Sequence, residues 1–388
     1  MARIAIAGAG IGGLATAAGL ARAGHAVRIF DRWAAPQPVG SGLVVQPVGL
    51  SVLDALGAGD AARKLGQTIS RMAGHDAKSG KPVLDVTYDP AGRGREGLAI
   101  HRAALHGVLL KAAQDAGANL ELGAPVTAAR DGAVHVRGAW TDRFDLVVDA
   151  AGAGSLLSPL RARPLPYGAI WGNVTWPADT DLPSDELRQR YCRAERMLGV
   201  LPIGRQTPDG PRQAAIFWSL PRDGIDAWRA RPLAHWKDEA ETLWPEIAPF
   251  LAQITDHDQM TPARYSHGTL RRPWSERLVH LGDAAHRASP QLGQGANMAL
   301  LDATALVAAV ETGPMTEVGA RMWNARRLHV SAYQALSALF TPQYQSDSRI
   351  LPLMRNHVLM PLSRTWPART ILPALVRGHV LPPVLAGL

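Results

Sequence analysis

Two glycine-bearing segments, far apart in the chain, carry residue types suited to holding a phosphorylated ligand. The first is Gly8-Ala9-Gly10-Ile11-Gly12-Gly13, with Leu14 opening the run that follows. The second reads Leu281-Gly282-Asp283-Ala284-Ala285-His286 and continues through Pro290 and Gly293-Gln294-Gly295-Ala296-Asn297 to Asp302-Ala303. Without side chains, the glycines let backbone N–H groups approach a ligand closely. A helix that starts just after such a turn aims the positive end of its dipole at the same spot, which suits an anion or an electron-rich ring. Asp283 fits a different role. A carboxylate beside a phosphate repels it, whereas one ending a strand accepts hydrogen bonds from hydroxyls such as those of a sugar chain. The second segment therefore suits a ligand with both a polyol and a polar ring, and FAD has both.

The elements around these segments follow from their patterning. Ala2–Ala7 reads as a short apolar strand, Leu14–Ala23 as an Ala/Leu-rich helix and Val27–Phe30 as a second strand ending at Asp31. That is G-x-G-x-x-G between strand and helix, with an acid 23 residues after Gly8. A pyrophosphate would sit at the helix N-terminus and Asp31 would accept from ribose hydroxyls. The fingerprint does not separate NAD from FAD; the second segment does. Arg277–His280 reads as a buried strand leading into it, and Met298–Val310 as the helix leading out.

The pattern GDAAHxxxPxxGQGxNxAxxDA, running from Gly282 to Ala303, resembles the second flavin motif of the FAD-dependent aromatic hydroxylases. That group includes ubiquinone-pathway hydroxylases and antibiotic-tailoring oxygenases. The resemblance implies an α/β fold. A Rossmann-like FAD-binding domain of the GR2 type would carry an inserted antiparallel-sheet substrate domain and C-terminal helices. It places Gly8, Gly10, Ile11, Gly12, Gly13 and Leu14 on FAD, together with Asp31 and Arg32. Gly282, Asp283, Gly295, Ala296 and Asn297 would bind it from the second motif, with Pro290 and Gly293 at the reactive edge of the flavin ring. Val39–Pro47 is similar to the loop running beside that ring, where Gly42 and Leu43 would offer backbone atoms; an ordinary loop-to-strand connection reads almost as well. Arg102, in Arg102-Ala103-Ala104-Leu105, falls in the register of the family's flavin-contacting arginine, and Val126 where an apolar residue faces adenine.

Two departures stand out. The segment Asp145–Gly152 resembles the family's DLVVGADG, but Ala151 replaces its Asp and Asp149 its Gly. Alanine cannot accept a hydrogen bond from a cofactor hydroxyl, which weakens the nicotinamide assignment more than the FAD one. An Asn usual after the flavin loop is also missing, with Val48 in its region.

The chain has 388 residues, 47% hydrophobic and 19% charged, which suits two domains with sizeable cores. Residues 165–275 are expected to form the substrate domain, and 1–164 with 276–388 the FAD domain and C-terminal helices. Within the insert, Tyr167–Trp176, Met197–Pro202 and Gln213–Leu220 read as antiparallel strands, and Leu182–Arg193 and Pro232–Ile254 as helices. Trp171, Met197, Leu201, Phe217 and Trp218 are the apolar candidates to line a substrate pocket. Gly97–Ala113 reads as a strand and helix, Ala118–Leu122 and Pro125–Thr127 as strands, and Thr316–Phe340 and Tyr344–Leu388 as helical.

Other function classes are disfavoured. The single cysteine, Cys192, excludes an intrachain disulfide and suits a reducing cytoplasm. The net charge of +8 comes from scattered arginines without aromatic-interleaved clusters, which argues against nucleic acid and for steering an anionic cofactor or substrate. No apolar run reaches the ~18 residues of a membrane span, and no repeat or metal-ligand cluster is visible. His286 reads as a structural turn residue rather than a base. From Ser348 onward there is no Asp or Glu, while arginines accompany many Leu, Val and Pro residues. Such a tail fits terminal helices packed across the FAD domain or a surface laid on an anionic membrane.

The function implied is an FAD-dependent monooxygenase, a monomer or homodimer using NADPH or NADH and O₂. A flavin C4a-hydroperoxide would hydroxylate or epoxidise a bulky aromatic or polycyclic substrate. The alternatives are an FAD oxidase or dehydrogenase without direct NAD(P)H use, and a flavin-binding regulatory protein.

Overall fold

The computed structural model describes residues 1–35 and 40–384. Val39 of the expected flavin loop and the last four residues of the tail lie outside that description. Ile4, Ala5, Ile6 and Ala7 are all buried, as a central parallel strand covered on both faces requires. The strand Arg3–Ala7 pairs in parallel with Ala26–Phe30 on one side and Leu146–Asp149 on the other. Asn119–Glu121 and Leu278–His280 form the two edges of this five-stranded parallel sheet. The strand order turns about Arg3–Ala7, so the crevice where ligands bind in such sheets opens at the carboxyl ends of these central strands.

A second, eight-stranded sheet contains the expected strands as Arg163–Thr175, Arg196–Arg205 and Arg212–Pro221. Three features differ from expectation. Leu182–Arg193 is not helical: Glu186–Cys192 is a strand, with Leu187, Gln189 and Tyr191 turned inward and charged residues between them. Its helix-favouring Glu, Leu, Arg and Gln residues are overridden by pairing on both sides. Met260–Thr269, with few apolar residues and a proline, is also a strand, paired with Arg163–Thr175. Finally, Arg71–Asp76 runs parallel to Glu186–Cys192 and carries Pro82–Thr87 at the sheet's edge. The sheet is thus completed by residues that precede the insert.

The expected helix Pro232–Ile254 is divided at Pro245 into Leu233–Leu243 and Ala248–Leu251. Val318–Tyr344 forms one long helix, after which the tail is a series of shorter ones, the last being Ala368–Arg377.

The two faces of the large sheet carry different packing. Trp218 sits with Trp228, Trp236, Trp244 and Phe250 beneath the short helices of the insert. Met197, Leu201, Ile203 and Phe217 face the other way, toward the small sheet of Gly42–Val45, Gly97–His101 and Gln67–Ile69. Successive strand residues point to opposite faces, so Phe217 and Trp218 cannot line the same cavity. The expectation for Trp218 is corrected: it is core on the far side.

Candidate active site

The two glycine segments meet. Gly8, Ala150 and Gly282 each follow the carboxyl end of one of three adjacent parallel strands, stitched by Ala150 N–H to Ala7 O and Leu281 N–H to Asp149 O, both 2.9 Å. The helix Ile11–Arg22 packs on the helix Gly295–Glu311, close enough that a Cβ at Gly12 would lie 3.2 Å from Ala299 Cβ. At Gly13 a Cβ would collide with the Gly8 carbonyl oxygen. That closeness of turn and helix is what the third glycine of the fingerprint permits.

Both helices begin with free donors. The first intrahelical bonds recorded at these ends are Leu14 N–H to Gly10 O and Met298 N–H to Gln294 O. The amides of Ile11, Gly12 and Gly13, and of Gly295, Ala296 and Asn297, have no acceptor among the described residues. Gly10 and Gly295 are exposed, and a Cβ on either would meet nothing within 4 Å. Two dipole ends with unmet N–H groups therefore open onto one crevice.

The carboxylates divide into open and closed ones. Asp283 is exposed, and its side chain has no partner among the described residues. Asp31 accepts from the Ala9 amide at 2.6 Å and the Trp33 amide at 2.9 Å, which fixes its carboxylate beside the first turn. Arg32, exposed, lies over the Trp33 ring at 4.9 Å. Asp149 is fully buried and accepts from His280 Nδ1 and Ser155 Oγ, each at 2.7 Å, and from the Ala151 amide at 3.1 Å. Its carboxylate faces into the protein and does not take over the outward role that Ala151 lacks.

Asn297 is also closed. It is completely buried; its Oδ1 accepts from the Gln46 amide at 2.8 Å, while Nδ2 donates to Gly293 O at 3.0 Å and Val44 O at 3.2 Å. Its side chain thus ties the strand Gly42–Val45 to the second motif and leaves only its backbone amide for a ligand. Gly293, left-handed at φ 61°, closes the short turn Pro290–Leu292, in which Pro290 is exposed. Ser289 anchors that turn: its amide donates to His267 Nε2 at 2.8 Å, and its hydroxyl meets Ser337 and Thr341 on the long helix.

Beneath the second motif, Asp302 joins three donors: His286 Nε2 at 2.6 Å, Arg326 Nε at 2.9 Å and the Gly282 amide at 3.0 Å. Burial alone would raise the Asp302 carboxyl, but His286 and Arg326 outweigh it and hold the group well below the ordinary carboxylate range. His286 is buried and held inside the fold by this pairing with Asp302. Arg326 also touches His329, whose imidazole burial pushes down to about 4, with the arginine adding to the effect. The sequence pattern contained His286 and Asp302 but gave no local sign of Arg326.

Leu43 and Gly42 begin the strand that faces the large sheet, where Ile203 would touch any side chain added at Gly42. Arg102, exposed at the start of its helix, lies along Gly40, and no carboxylate pairs with it among the described residues. Val126, half-buried, packs with Phe30 and Phe144 next to the strand Ala26–Phe30 that precedes Asp31. Met197 lies at the other end of its strand from Ile203, away from the Gly42 loop.

Trp171 does reach the interior, stacked on Phe217 at 4.5 Å and donating from Nε1 to Tyr265 Oη at 3.0 Å. Burial raises the Tyr265 phenol to about 12, partly offset by the Trp171 bond. Nearby, the Asn173 amide lies 3.0 Å from His101 Nε2 and 2.5 Å from Ser41 Oγ. His101 Nδ1 accepts from the Ala103 amide, so the neutral ring carries its proton on Nε2 and the Asn173 oxygen belongs beside it. Burial lowers the His101 pKa, in keeping with a neutral ring. Tyr265, Asn173 and His101 come from three separate strands with no motif, and sequence reasoning missed them.

A family described as an FAD binding domain matches residues 1–150 and 170–331. The chain belongs to the FAD-dependent aromatic hydroxylase family. It is 32% identical over 328 residues to an aurachin C monooxygenase/isomerase of Stigmatella aurantiaca, covering 78% of this chain and 79% of that one. It is 30% identical to a 2-heptyl-3-hydroxy-4(1H)-quinolone synthase of Mycobacteroides abscessus, covering 82% and 84%. Among solved structures, a Klebsiella pneumoniae HpxO variant complexed with FAD superposes with a TM-score of 0.79 at 20% identity, over 98% of this chain and 100% of that one. The cofactor of this family is FAD, and the exposed glycine turns, free amides and open Asp283 fit it. Among the described residues no group of His, Cys, Asp and Glu is placed to hold a metal ion, and no helix is long and apolar enough to cross a membrane.

Proposed function

We propose that this protein is a monooxygenase that hydroxylates or epoxidises a planar aromatic or polycyclic compound, with NADPH or NADH as reductant and O₂ as oxidant. The observation that carries the reading is the juxtaposition of two helix N-termini with unmet amides and the open Asp283, beside a strand, Gly42–Val45, that is tied to the second motif by Asn297 and packs on the large sheet at Ile203. FAD, when bound, supplies a ring that takes up two electrons and passes them to O₂. The chain supplies position and dryness. The Gly10–Gly13 turn would hold the pyrophosphate, Asp31 the ribose and Asp283 the ribityl hydroxyls, with Arg102 and the backbone of Gly42 and Leu43 beside the ring. Pro290 and Gly293 would form the wall where ring and substrate meet. Trp171 and Phe217 offer an aromatic face, and the neutral Tyr265 hydroxyl beside them can donate a hydrogen bond to a substrate oxygen. The quinolone and aurachin in the relatives' names support a flat aromatic substrate. Excluding water there favours oxygen transfer over release of peroxide.

The test is the absorbance spectrum of purified protein, followed by NAD(P)H oxidation and O₂ uptake with a panel of phenols and polycyclic compounds. Bound flavin and substrate-accelerated, coupled oxidation are expected; a preparation that takes up no FAD refutes the reading. Positions 149 and 151 favour one alternative, an oxidase or dehydrogenase without direct NAD(P)H use. Anaerobic mixing with NADPH separates the two, because a flavin bleached only by substrate supports the alternative.

A further inference from the structure

The C-terminal tail presents apolar side chains to solvent. Of the 15 large hydrophobic residues exposed among the described residues, 10 lie between Leu339 and Leu381. Trp366 is 79% exposed, Ile350 68%, Leu353 58% and Leu362 53%. Single exposed apolar residues are ordinary; a run concentrated in one segment marks a contact surface.

Charge decides what that surface would contact. Arg349, Arg364 and Arg369 are exposed among these residues, and none pairs with a carboxylate among the described residues. The segment from Ser348 to the end contains no acid. Arg355 is the exception: it is buried between the Tyr191 and Tyr344 rings and donates to the Gln343 and Arg193 carbonyls. It anchors the tail to the large sheet. Asp347, which accepts from Tyr167 Oη, is the last acid; beyond it leucine, isoleucine and tryptophan stand beside unpaired arginines and complement an interface with an apolar interior and anionic headgroups.

We propose that this tail lays the protein on the surface of an anionic lipid bilayer. The helix Ala368–Arg377 turns its other side to the candidate active site. Val376 O accepts from Gln294 Nε2 at 3.1 Å, and Leu375 and Leu372 pack with Met298 and Leu292. One helix thickness, ~10–12 Å, therefore separates the second flavin motif from the lipid.

The experiment is co-sedimentation of the FAD-loaded, full-length protein with vesicles of phosphatidylcholine alone or mixed with phosphatidylglycerol. Three surface arginines predict roughly a hundredfold preference for the anionic vesicles at low salt, shrinking as salt screens it. Leu362→Ser with Trp366→Ala should abolish binding, while Arg364→Gln with Arg369→Gln should cut the anionic preference roughly thirtyfold. All four positions are exposed and outside the flavin site, so flavin content and turnover of a soluble substrate should not change. Equal binding to both vesicle types, or no binding to either, overturns the proposal. Dimerisation without vesicle binding, lost in the same variants, overturns it in favour of a second copy of the chain.

Discussion

Replacing Asn297 by alanine tests whether this side chain, rather than a ligand contact, joins the flavin loop to the second motif. The substitution removes an acceptor 2.8 Å from the Gln46 amide and a donor shared by Gly293 O and Val44 O. The bonds to Gln46 and Val44 lie in the interior, so water cannot replace them cheaply. With a net 0.5–1.5 kcal/mol for each bond and a further penalty of about 1–3 kcal/mol for the orphaned Gln46 N–H, the apoprotein should lose roughly 3–7 kcal/mol. Urea unfolding without FAD reads that loss directly. If part of it, about 1.4 kcal/mol, is the loosening of Gly42–Val45 that FAD binding must reverse, FAD affinity falls roughly tenfold, measurable by fluorescence quenching. Asn297→Asp should do no better, because a carboxylate satisfies Gln46 but turns lone pairs toward two carbonyls. A variant within about 1 kcal/mol of the parent, with unchanged FAD affinity, would refute the reasoning.

Three further outcomes are expected. Asp283→Ala should lower FAD retention during desalting while leaving apoprotein stability in urea unchanged, because the exposed carboxylate has no partner among the described residues; a stability loss without a change in flavin content would contradict its role. His329 should make stability depend on pH: its folded value of about 4 lies below the ordinary 6.5, so the unfolded chain takes up the proton first. Stabilisation from that group is complete above about pH 6.5 and is lost as pH falls through 4, an effect of about 3 kcal/mol. His329→Gln should flatten the urea-stability profile across that window. Trp218→Ala should cost about 3–5 kcal/mol of stability and leave KM unchanged, whereas Trp171→Ala should raise KM. A raised KM in the Trp218 variant would put that residue back at the pocket.

Much of the flavin half was legible in the sequence, because glycines at close approaches and a buried parallel strand leave few residue choices. Gly13 under the Gly8 carbonyl and Ile4–Ala7 in the sheet centre are such positions. The substrate half was harder to read. In Glu186–Cys192 the inward period of two is hidden because Gln189 is one of its buried members, and in Met260–Thr269 pairing, rather than apolar content, makes the strand. Trp171, Phe217 and Trp218 were equally apolar on paper; only the pleat separates them. Arg326 and Asn173 act across the fold, where sequence distance carries no signal.

The parallel pairing of Arg71–Asp76 with Glu186–Cys192 has a consequence for synthesis. The paired residues stand 115 positions apart. At a translation rate of about 5–20 residues per second, the hairpin of residues 71–87 waits roughly 6–23 seconds for its neighbour to leave the ribosome. Through that interval an unpaired strand edge is available to other nascent chains, so folding yield in the cell should depend on chaperones that shield it. A chimera that exchanges only residues 165–275 with a relative would keep this hairpin but remove the strand it was shaped to join.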